Sequence, residues 1–110
     1  MKLINNISKS TLHQALIDYG FDYRQAEFLV DSVNKKIAID LFGNANFSYE
    51  KMRALRDGIT LGFDMRPFAN ETSTRQEIRY ATEEYIFSKN HNLSTQTINS
   101  YLEYLDTIGE

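Results

Sequence analysis

The sequence predicts an all-α protein, and three observations carry this prediction. Apolar residues make up 42% of the 110-residue chain, with seven Phe and seven Tyr among them, which is typical of a folded globule. The chain has one proline and no long run of alternating apolar and polar residues, so the apolar spacing is helical. The triplet Phe-Asp-Tyr at 21–23 recurs as Phe-Ser-Tyr at 47–49, and Phe-Gly-Asn at 42–44 recurs as Phe-Ala-Asn at 68–70, each 26 positions later. This period indicates a helical repeat.

The length is that of one domain, so we expect residues 1–110 to share a single fold. Within it we expect five to six short helices in three parts. Residues 1–20 form an N-terminal helix, residues 21–72 form two repeat units, and residues 73–110 form a C-terminal helical pair. The predicted architecture is a stack of units with a 26-residue period, which the C-terminal pair caps.

The first helix is predicted from a capping box. Thr11 with Gln14 three residues later is the pattern in which two side chains bond the backbone N–H groups at a helix start. The apolar spacing continues to about Tyr19, and Gly20 follows it as a helix stop.

The second helix is predicted to begin at Asp22, with Gln25 completing a capping box and Phe21 packing onto Ala26. Its inward stripe follows helical spacing: Ala26, Leu29, Val30, Val33 and Ile37.

The third helix repeats this arrangement, with Phe47 before the cap, Ser48 at the cap and Met52 one turn inside. Gly58 lies within this helix at a cost of about 1 kcal/mol relative to Ala, which suggests that a neighbouring backbone approaches closely. Gly62 is expected to end the helix.

A third, degraded copy starts near residue 73. Thr74 and Glu77 make another capping box, and the helix is expected to run to about Lys89. After a turn, Leu93 and Ser94 restart the pattern of an apolar residue before a cap. The apolar stripe of the last helix comprises Ile98, Tyr101, Leu102 and Leu105.

The second copy resembles a known repeat. Residues 49–70 read YEKMRALRDGITLGFDMRPFAN, and this stretch is similar to the repeat of about 25 residues built around Q-M-R-x-I-R-x-G-L-x-x-G-L-D, found in phage and mobile-element proteins of Gram-positive bacteria. Lys51 stands where the family usually has Gln, and Glu71 stands where it usually has Pro. The resemblance implies a mobile-element setting, in which small acidic proteins often inhibit a host defence complex. It carries over no catalytic residues.

The amino-acid composition limits the cellular compartment and the side-chain chemistry that we expect of this chain. The chain has no cysteine, which excludes disulfides and thiolate chemistry and suits a reducing cytoplasm. Residues 1–10 lack the features of a signal peptide, and no window reaches the about 20 apolar residues of a membrane span. We therefore expect a cytoplasmic protein with no membrane partner.

The sequence gives no sign of an enzyme. His13 and His91 have no partner at the spacing of a catalytic triad or metal site. Glu83 and Glu84 are adjacent on a helix and point about 100° apart, so they cannot share a proton. The glycines are dispersed and form no phosphate loop. We expect a non-catalytic protein with no metal and no cofactor.

Two surfaces are candidates for binding a partner. Arg53, Arg56 and Arg66 could contact an acidic protein or nucleic acid, because Arg is enriched at interface hot spots. Alternatively, Glu50 and Asp57 neutralise Arg53 on a solvated helix face. The second surface is acidic and aromatic, and we assign to it Glu77, Tyr80, Glu83, Glu84, Tyr101 and Tyr104.

Two functions follow from these surfaces. Residues 71–110 carry three basic and seven acidic residues, a net charge of −4. Such a face would compete with nucleic acid for the basic groove of a nucleic-acid-handling enzyme. The mobile-element setting that the resemblance implies makes the most concrete prediction an inhibitor of a bacterial defence nuclease, similar to anti-CRISPR proteins. The alternative is a small helix-turn-helix regulator that reads DNA from Ser94 to Ser100, because small polar residues lead this helix. Its negative charge disfavours that alternative.

Overall fold

The computed structural model describes residues 8–89 and 94–108, and within them the chain is helical, with no strand. This confirms the all-α class and the expected number of about five helices. The bounds are α1 Lys9–Tyr19, α2 Tyr23–Asn34, α3 Tyr49–Thr60, α4 Arg75–Lys89 and α5 Thr95–Ile108, with a 3₁₀ turn at Arg66–Phe68. Helix α1 packs on α2, α3 packs on α2 and α4, and α5 packs on α3 and α4.

Helices α2, α3 and α4 begin at residues 23, 49 and 75, which are 26 positions apart. Each start is capped by the residue before it. The side chain of Asp22 accepts from the backbone N–H of Gln25 at 2.8 Å, and the hydroxyl of Ser48 accepts from that of Lys51 at 3.1 Å. Thr74 caps α4 in the same way, at 3.1 Å. Cap spacing therefore sets where these helices start. Stacking of the units as a repeat array stays a prediction.

The C-terminus of α2 turns through Lys36, whose φ of 60° lies in the left-handed region. The N–H of Lys36 donates to the carbonyl of Val33 at 3.0 Å, and the N–H of Ile37 donates to that of Ser32 at 2.9 Å. These two bonds define a Schellman motif, which satisfies the last carbonyls of a helix.

Helix α3 ends in the same motif 26 residues later. Gly62 has a φ of 84°, and the N–H of Phe63 donates to the carbonyl of Gly58 at 2.9 Å. Gly20 closes α1 with a φ of 136° and is followed by the buried Phe21. The recurring Gly-Phe pair is therefore a helix stop followed by an apolar residue that packs into the core.

The main core lies between α2, α3, the segment that connects α2 to α3 and the segment that connects α3 to α4. Side chains that are fully excluded from solvent include Leu29, Phe42, Met52, Leu55 and Met65. A smaller cluster joins α4 to α5 through Ile86, Ile98 and Leu102, with Leu61 and Tyr85 packed against it. The small cluster fixes the helical pair that carries most of the predicted binding residues.

Helix α1 starts earlier than the sequence predicted. Its cap is Ser8, whose hydroxyl accepts from the backbone N–H of Thr11 at 3.2 Å, so the Thr11–Gln14 capping box is wrong. Gln14 instead donates to Asp18 at 2.9 Å along the helix. Two small polar residues three positions apart both fit a cap, and the sequence alone did not distinguish them.

Gly58 is closely approached, but by a side chain and not by a backbone. A β-carbon at this position would lie 2.2 Å from Sδ of Met65, which is almost completely buried. Met65 follows the turn at Gly62 and folds back onto α3. The absence of a side chain at Gly58 therefore leaves space for Met65, in the segment that follows α3.

The last helix agrees with its predicted start and with part of its predicted stripe. Ser94 caps it, accepting from the backbone N–H of Thr97 at 3.1 Å, and Ile98 and Leu102 are buried. Tyr101 is 45% exposed, so it lies at the edge of the buried face. Leu93 and the side chain of Leu105 lie outside the part of the chain that the structure describes.

Candidate protein-binding surfaces

Helix α4 presents one face to the interior. Ile78, Thr82 and Ile86 follow one another at intervals of four residues, and all three are buried. The hydroxyl of Thr82 donates to the carbonyl of Ile78 at 2.8 Å, which satisfies this buried polar group within the helix. The opposite face of α4 therefore points to solvent.

That opposite face carries an alternation of carboxylates and aromatic rings. Glu77, Tyr80, Glu84 and Phe87 are spaced by three, four and three residues, so they form one line along the helix. We call this line the acidic–aromatic stripe. Tyr80 is 66% exposed and Phe87 is 43% exposed. The predicted residues Glu77, Tyr80 and Glu84 are thus brought together, and Phe87 joins them.

Glu77 also has a structural role. Its carboxylate accepts from the backbone N–H of Thr74 at 3.3 Å and from the Thr74 hydroxyl at 3.1 Å. These bonds complete the predicted capping box at the start of α4. The carboxylate is exposed, and these bonds to Thr74 hold it in place.

Glu83 lies apart from the stripe, in a polar groove of about 300 Å³ between α4 and α5. Arg75, Arg79, Tyr80 and Glu103 line the same groove with it, together with Gln76. Two basic and two acidic side chains meet there. The acidic face is therefore narrower than the sequence predicted, because Glu83 lines a groove together with Arg75 and Arg79.

Tyr101 lies on the other side of the helical pair, in an apolar groove of about 410 Å³. The groove is lined by Leu61, Tyr85, Ile86, Lys89, Thr97, Ile98 and Tyr101. Tyr85 belongs to the fold, because its ring stacks on Phe63 at 4.7 Å between centroids. Tyr104 is 58% exposed on α5, one turn from Tyr101.

Arg66 does not join a basic patch. It is exposed, and its guanidinium makes two bonds to the carboxylate of Asp64, at 2.9 and 2.8 Å. These hydrogen bonds lower the pKa of Asp64 from 3.8 to about 2 and raise the pKa of Arg66. The pair neutralises itself locally and, being exposed, adds little stability.

Arg56 is buried, which corrects its predicted role as a contact residue. Its Nη1 donates to Oδ2 of Asp31 at 2.9 Å and to the hydroxyl of Ser32 at 3.1 Å. Its guanidinium carbon lies 3.9 Å from the centroid of the Phe28 ring. The side chain ties α3 to α2, and all these partners are more than 20 positions away in sequence, so helical spacing could not reveal them.

Arg53 lies beside a second arginine that the sequence did not single out. Arg24, from α2, lies 4.0 Å above the ring centroid of Tyr49, and Arg53, one turn along α3, lies 5.3 Å from the same centroid. Tyr49 is 9% exposed. The sequence predicts only that Arg53 lies near Tyr49, because the two residues are four positions apart on one helix. It does not predict the contact of Arg24, which lies on α2 and has Glu50, not an arginine, at its equivalent position in the next repeat.

Lys51 is a buried cation at the third helical position of α3. Its Nζ donates to the carbonyl of Asn70 and lies 4.1 Å from the centroid of the Phe47 ring. Burial lowers the pKa of Lys51 below its ordinary value of 10.5. The equivalent residue of the first copy, Gln25, donates to the carbonyl of Phe47 at 2.6 Å. Both side chains bind the segment that leads to the next unit.

Within residues 8–89 and 94–108, no group of three or more His, Asp or Glu side chains could hold a metal ion. His13 is engaged with Tyr23, through a contact of 3.2 Å from Nε2 to the backbone carbonyl and an edge-on ring contact at 4.6 Å. His91 lies outside the described residues. In the part of the chain that was searched, no helix is both long and apolar enough to cross a membrane.

Comparisons with protein-family models, curated proteins and solved structures gave no match.

Proposed function

We propose that this chain is a non-catalytic protein-binding module that docks through the acidic–aromatic stripe of α4. The exposure of Tyr80 and Phe87 beside the carboxylates of Glu77 and Glu84 supports this proposal. Large rings left in water are typical of protein interfaces, where they bury much area with little loss of side-chain entropy. The carboxylates keep the free surface soluble and give the contact its charge.

The partner we propose is a nucleic-acid-handling defence enzyme with a basic groove. Residues 71–110 carry Arg75, Arg79 and Lys89 against seven acidic residues, so three positive charges minus seven negative charges leave −4. A negative face speeds association with a basic groove and competes with its nucleic acid. The resemblance of residues 49–70 to mobile-element repeats supports an anti-CRISPR-like role in the cytoplasm.

Nuclease inhibition provides the test. The purified protein is added to RNA-guided and other defence nucleases from Gram-positive hosts, and DNA cleavage is followed over time. We expect one of them to be inhibited, and Tyr80→Ala or Glu84→Lys to weaken inhibition about tenfold or more, as for an interface hot spot. Glu27→Lys is the matched control, since Glu27 is an exposed carboxylate on α2.

Two outcomes would overturn the proposal. One is that cleavage by every enzyme in the panel is unchanged by the protein. The other is that Tyr80→Ala, Glu84→Lys and Glu27→Lys all inhibit as strongly as the wild type, which would place the contact elsewhere.

The DNA-binding alternative has one observation in its favour. Gln96, Thr97 and Ser100 are exposed at the leading end of α5, where a recognition helix presents its side chains. Duplex DNA binding that weakens steeply with salt and is lost in Gln96→Ala would establish the regulator reading in place of the inhibitor. The excess of acidic residues around α4 and α5 favours protein binding.

A further inference from the structure

We propose that the apolar groove between α4 and α5 binds a medium-chain fatty acid, with the hydrocarbon chain in the groove and the carboxylate at Lys89. The groove encloses about 410 Å³ and shares no residue with the acidic–aromatic stripe. It is therefore a second site, with a ligand of a different class.

The groove offers apolar surface from three helices. Ile86 of α4 and Ile98 of α5 line it and are buried, so they form its floor. Leu61, which follows α3, and the ring of Tyr85 pack against them. Tyr101 is 45% exposed and borders solvent. A hydrocarbon chain laid on these side chains would remove apolar area of both surfaces from water, which favours binding.

The size of the groove suits a small molecule and not a protein. Ligand-binding clefts usually enclose about 300–1,000 Å³, with mainly apolar and aromatic walls and a few polar groups that orient the ligand. The groove has this volume and this lining. A stable protein interface involves about 20–30 residues on each partner, whereas seven described residues line the groove.

Lys89 gives the groove a positive charge. Among the seven described residues that line the groove it is the one charged side chain, and it is exposed at the last position of α4. Its Nζ lies 5.6 Å from the centroid of the Tyr85 ring. This contact places the ammonium group beside the apolar wall. Since the ring is neutral, it does not cancel the charge, and the ammonium keeps donors for a carboxylate.

The helix ends at the groove do not reverse this charge. Lys89 lies at the C-terminus of α4, which is the negative end of that helix dipole. Thr97, in the first turn of α5, also lines the groove, so the positive end of the second dipole lies there as well. The two partial charges offset each other, and the ammonium group decides the sign.

The carboxylates described on the helical pair belong to other surfaces. Glu77 and Glu84 are part of the stripe, and Glu83 and Glu103 line the polar groove with two arginines. At physiological salt, charges farther away than about 8 Å are largely screened, so the nearby Lys89 dominates. A carboxylate head group is therefore attracted to this end of the groove, and an ammonium head group is repelled.

Isothermal titration calorimetry of the full chain with decanoate, below its micelle concentration, tests the site. We expect decanoate to bind about twofold to fivefold more tightly than decanol, the range for an ion pair that borders water, and decylamine to bind most weakly. Lys89→Gln should lower the affinity for decanoate to that for decanol and leave decanol binding unchanged. Lys9→Gln, which removes an exposed cation of α1, is the matched control.

A second pair of variants locates the ligand. Thr97→Phe places a ring in the groove, whereas Gln96→Phe adds the same ring at the adjacent exposed position, which does not line the groove. Both keep the backbone N–H of residue 97 that Ser94 caps. Thr97→Phe should remove detectable decanoate binding, and Gln96→Phe should bind as the wild type does. Circular dichroism verifies that each variant is folded.

The proposal fails if decanoate does not bind, if decanol or decylamine binds as tightly, or if Lys89→Gln keeps the preference for the anion. It also fails if Thr97→Phe and Gln96→Phe bind decanoate equally well, which would place the ligand elsewhere. Loss of nuclease inhibition in Thr97→Phe without any decanoate binding would make the groove part of a protein contact instead. Glu84→Lys should leave decanoate binding unchanged, so the outcome is independent of the stripe.

Discussion

Replacing Lys36 with glycine should stabilise the protein, although it shortens an exposed side chain and adds no contact. Lys36 holds a φ of 60° in the Schellman motif that ends α2. In the left-handed region the β-carbon of an ordinary residue crowds the following carbonyl oxygen, at a cost of about 1–2 kcal/mol. Glycine has no β-carbon and adopts this conformation freely.

The expected gain is smaller than that cost, because glycine also makes the unfolded chain more flexible. This entropy amounts to about 0.5–1 kcal/mol, so the free energy of unfolding should rise by about 0.5–1 kcal/mol. A change of this size shifts the melting temperature of a domain this small by about 2–4 °C. Urea unfolding followed by far-ultraviolet circular dichroism, with thermal unfolding as a second readout, measures both.

Two control variants isolate the backbone effect. Lys36→Ala removes the long side chain but keeps the β-carbon, so its stability should stay within about 0.5 kcal/mol of the wild type. Gly62→Ala is the reverse change 26 residues later and should lower stability. A β-carbon there would meet only the Tyr85 hydroxyl, at 3.7 Å, which is an ordinary contact. The explanation is refuted if Lys36→Gly is no more stable than Lys36→Ala.

Three further predictions follow from the packing and the ionised groups. Gly58→Ala should destabilise the protein by about 1–3 kcal/mol, because the new β-carbon overlaps with Met65, and this loss should exceed the gain in helix propensity of about 1 kcal/mol. In a Met65→Ala background, where the overlap is removed, the same change should be neutral or stabilising in thermal unfolding. Arg66→Ala should return the pKa of Asp64 from about 2 toward 3.8, measured by NMR titration, and an unmoved pKa would rule out the guanidinium hydrogen bonds as its main cause. Because burial lowers the pKa of Lys51, the unfolded chain binds more protons between that lowered value and 10.5, so stability should rise with pH in this window. Urea unfolding at alkaline pH should show that rise in the wild type and not in Lys51→Gln.

Helix starts were the most predictable part of this fold. Asp22, Ser48, Thr74 and Ser94 all cap the helices that the sequence assigned to them. A cap depends on side chains within three positions of each other, and such local chemistry is visible in a linear pattern. The error at Thr11 has the same origin, since Ser8 offers the same chemistry one turn earlier.

Helix ends were less predictable than helix starts, although α4 ends at Lys89 as expected. Gly20 and Gly62 were assigned as stops, whereas Lys36, which adopts the same left-handed conformation, was not. A lysine at this position is held by the hydrogen bonds of the turn and by the half-buried Ile37, which packs against the core. Its conformation depends on the packed structure, so its residue type gave no signal.

The residues of the candidate surfaces also fall into two groups, those that local sequence patterns predict and those that only the packed structure places. The line of Glu77, Tyr80 and Glu84 follows from helical spacing, because residues three and four apart share a face. The burial of Arg56 and the position of Arg24 over the Tyr49 ring do not follow from helical spacing. Asp31 reaches Arg56 and Tyr49 reaches Arg24 across the α2–α3 contact, at sequence separations that no helical period relates.

The sequence by itself determined the all-α class, the 26-residue spacing of the helix starts and the face of α4 that carries carboxylates and rings. These features depend on backbone capping and helical geometry, which act over a few residues. Only the tertiary structure decided which cations are buried, which are paired and which share an aromatic platform. Those outcomes depend on desolvation and on contacts between helices, and both exist only after the helices have packed.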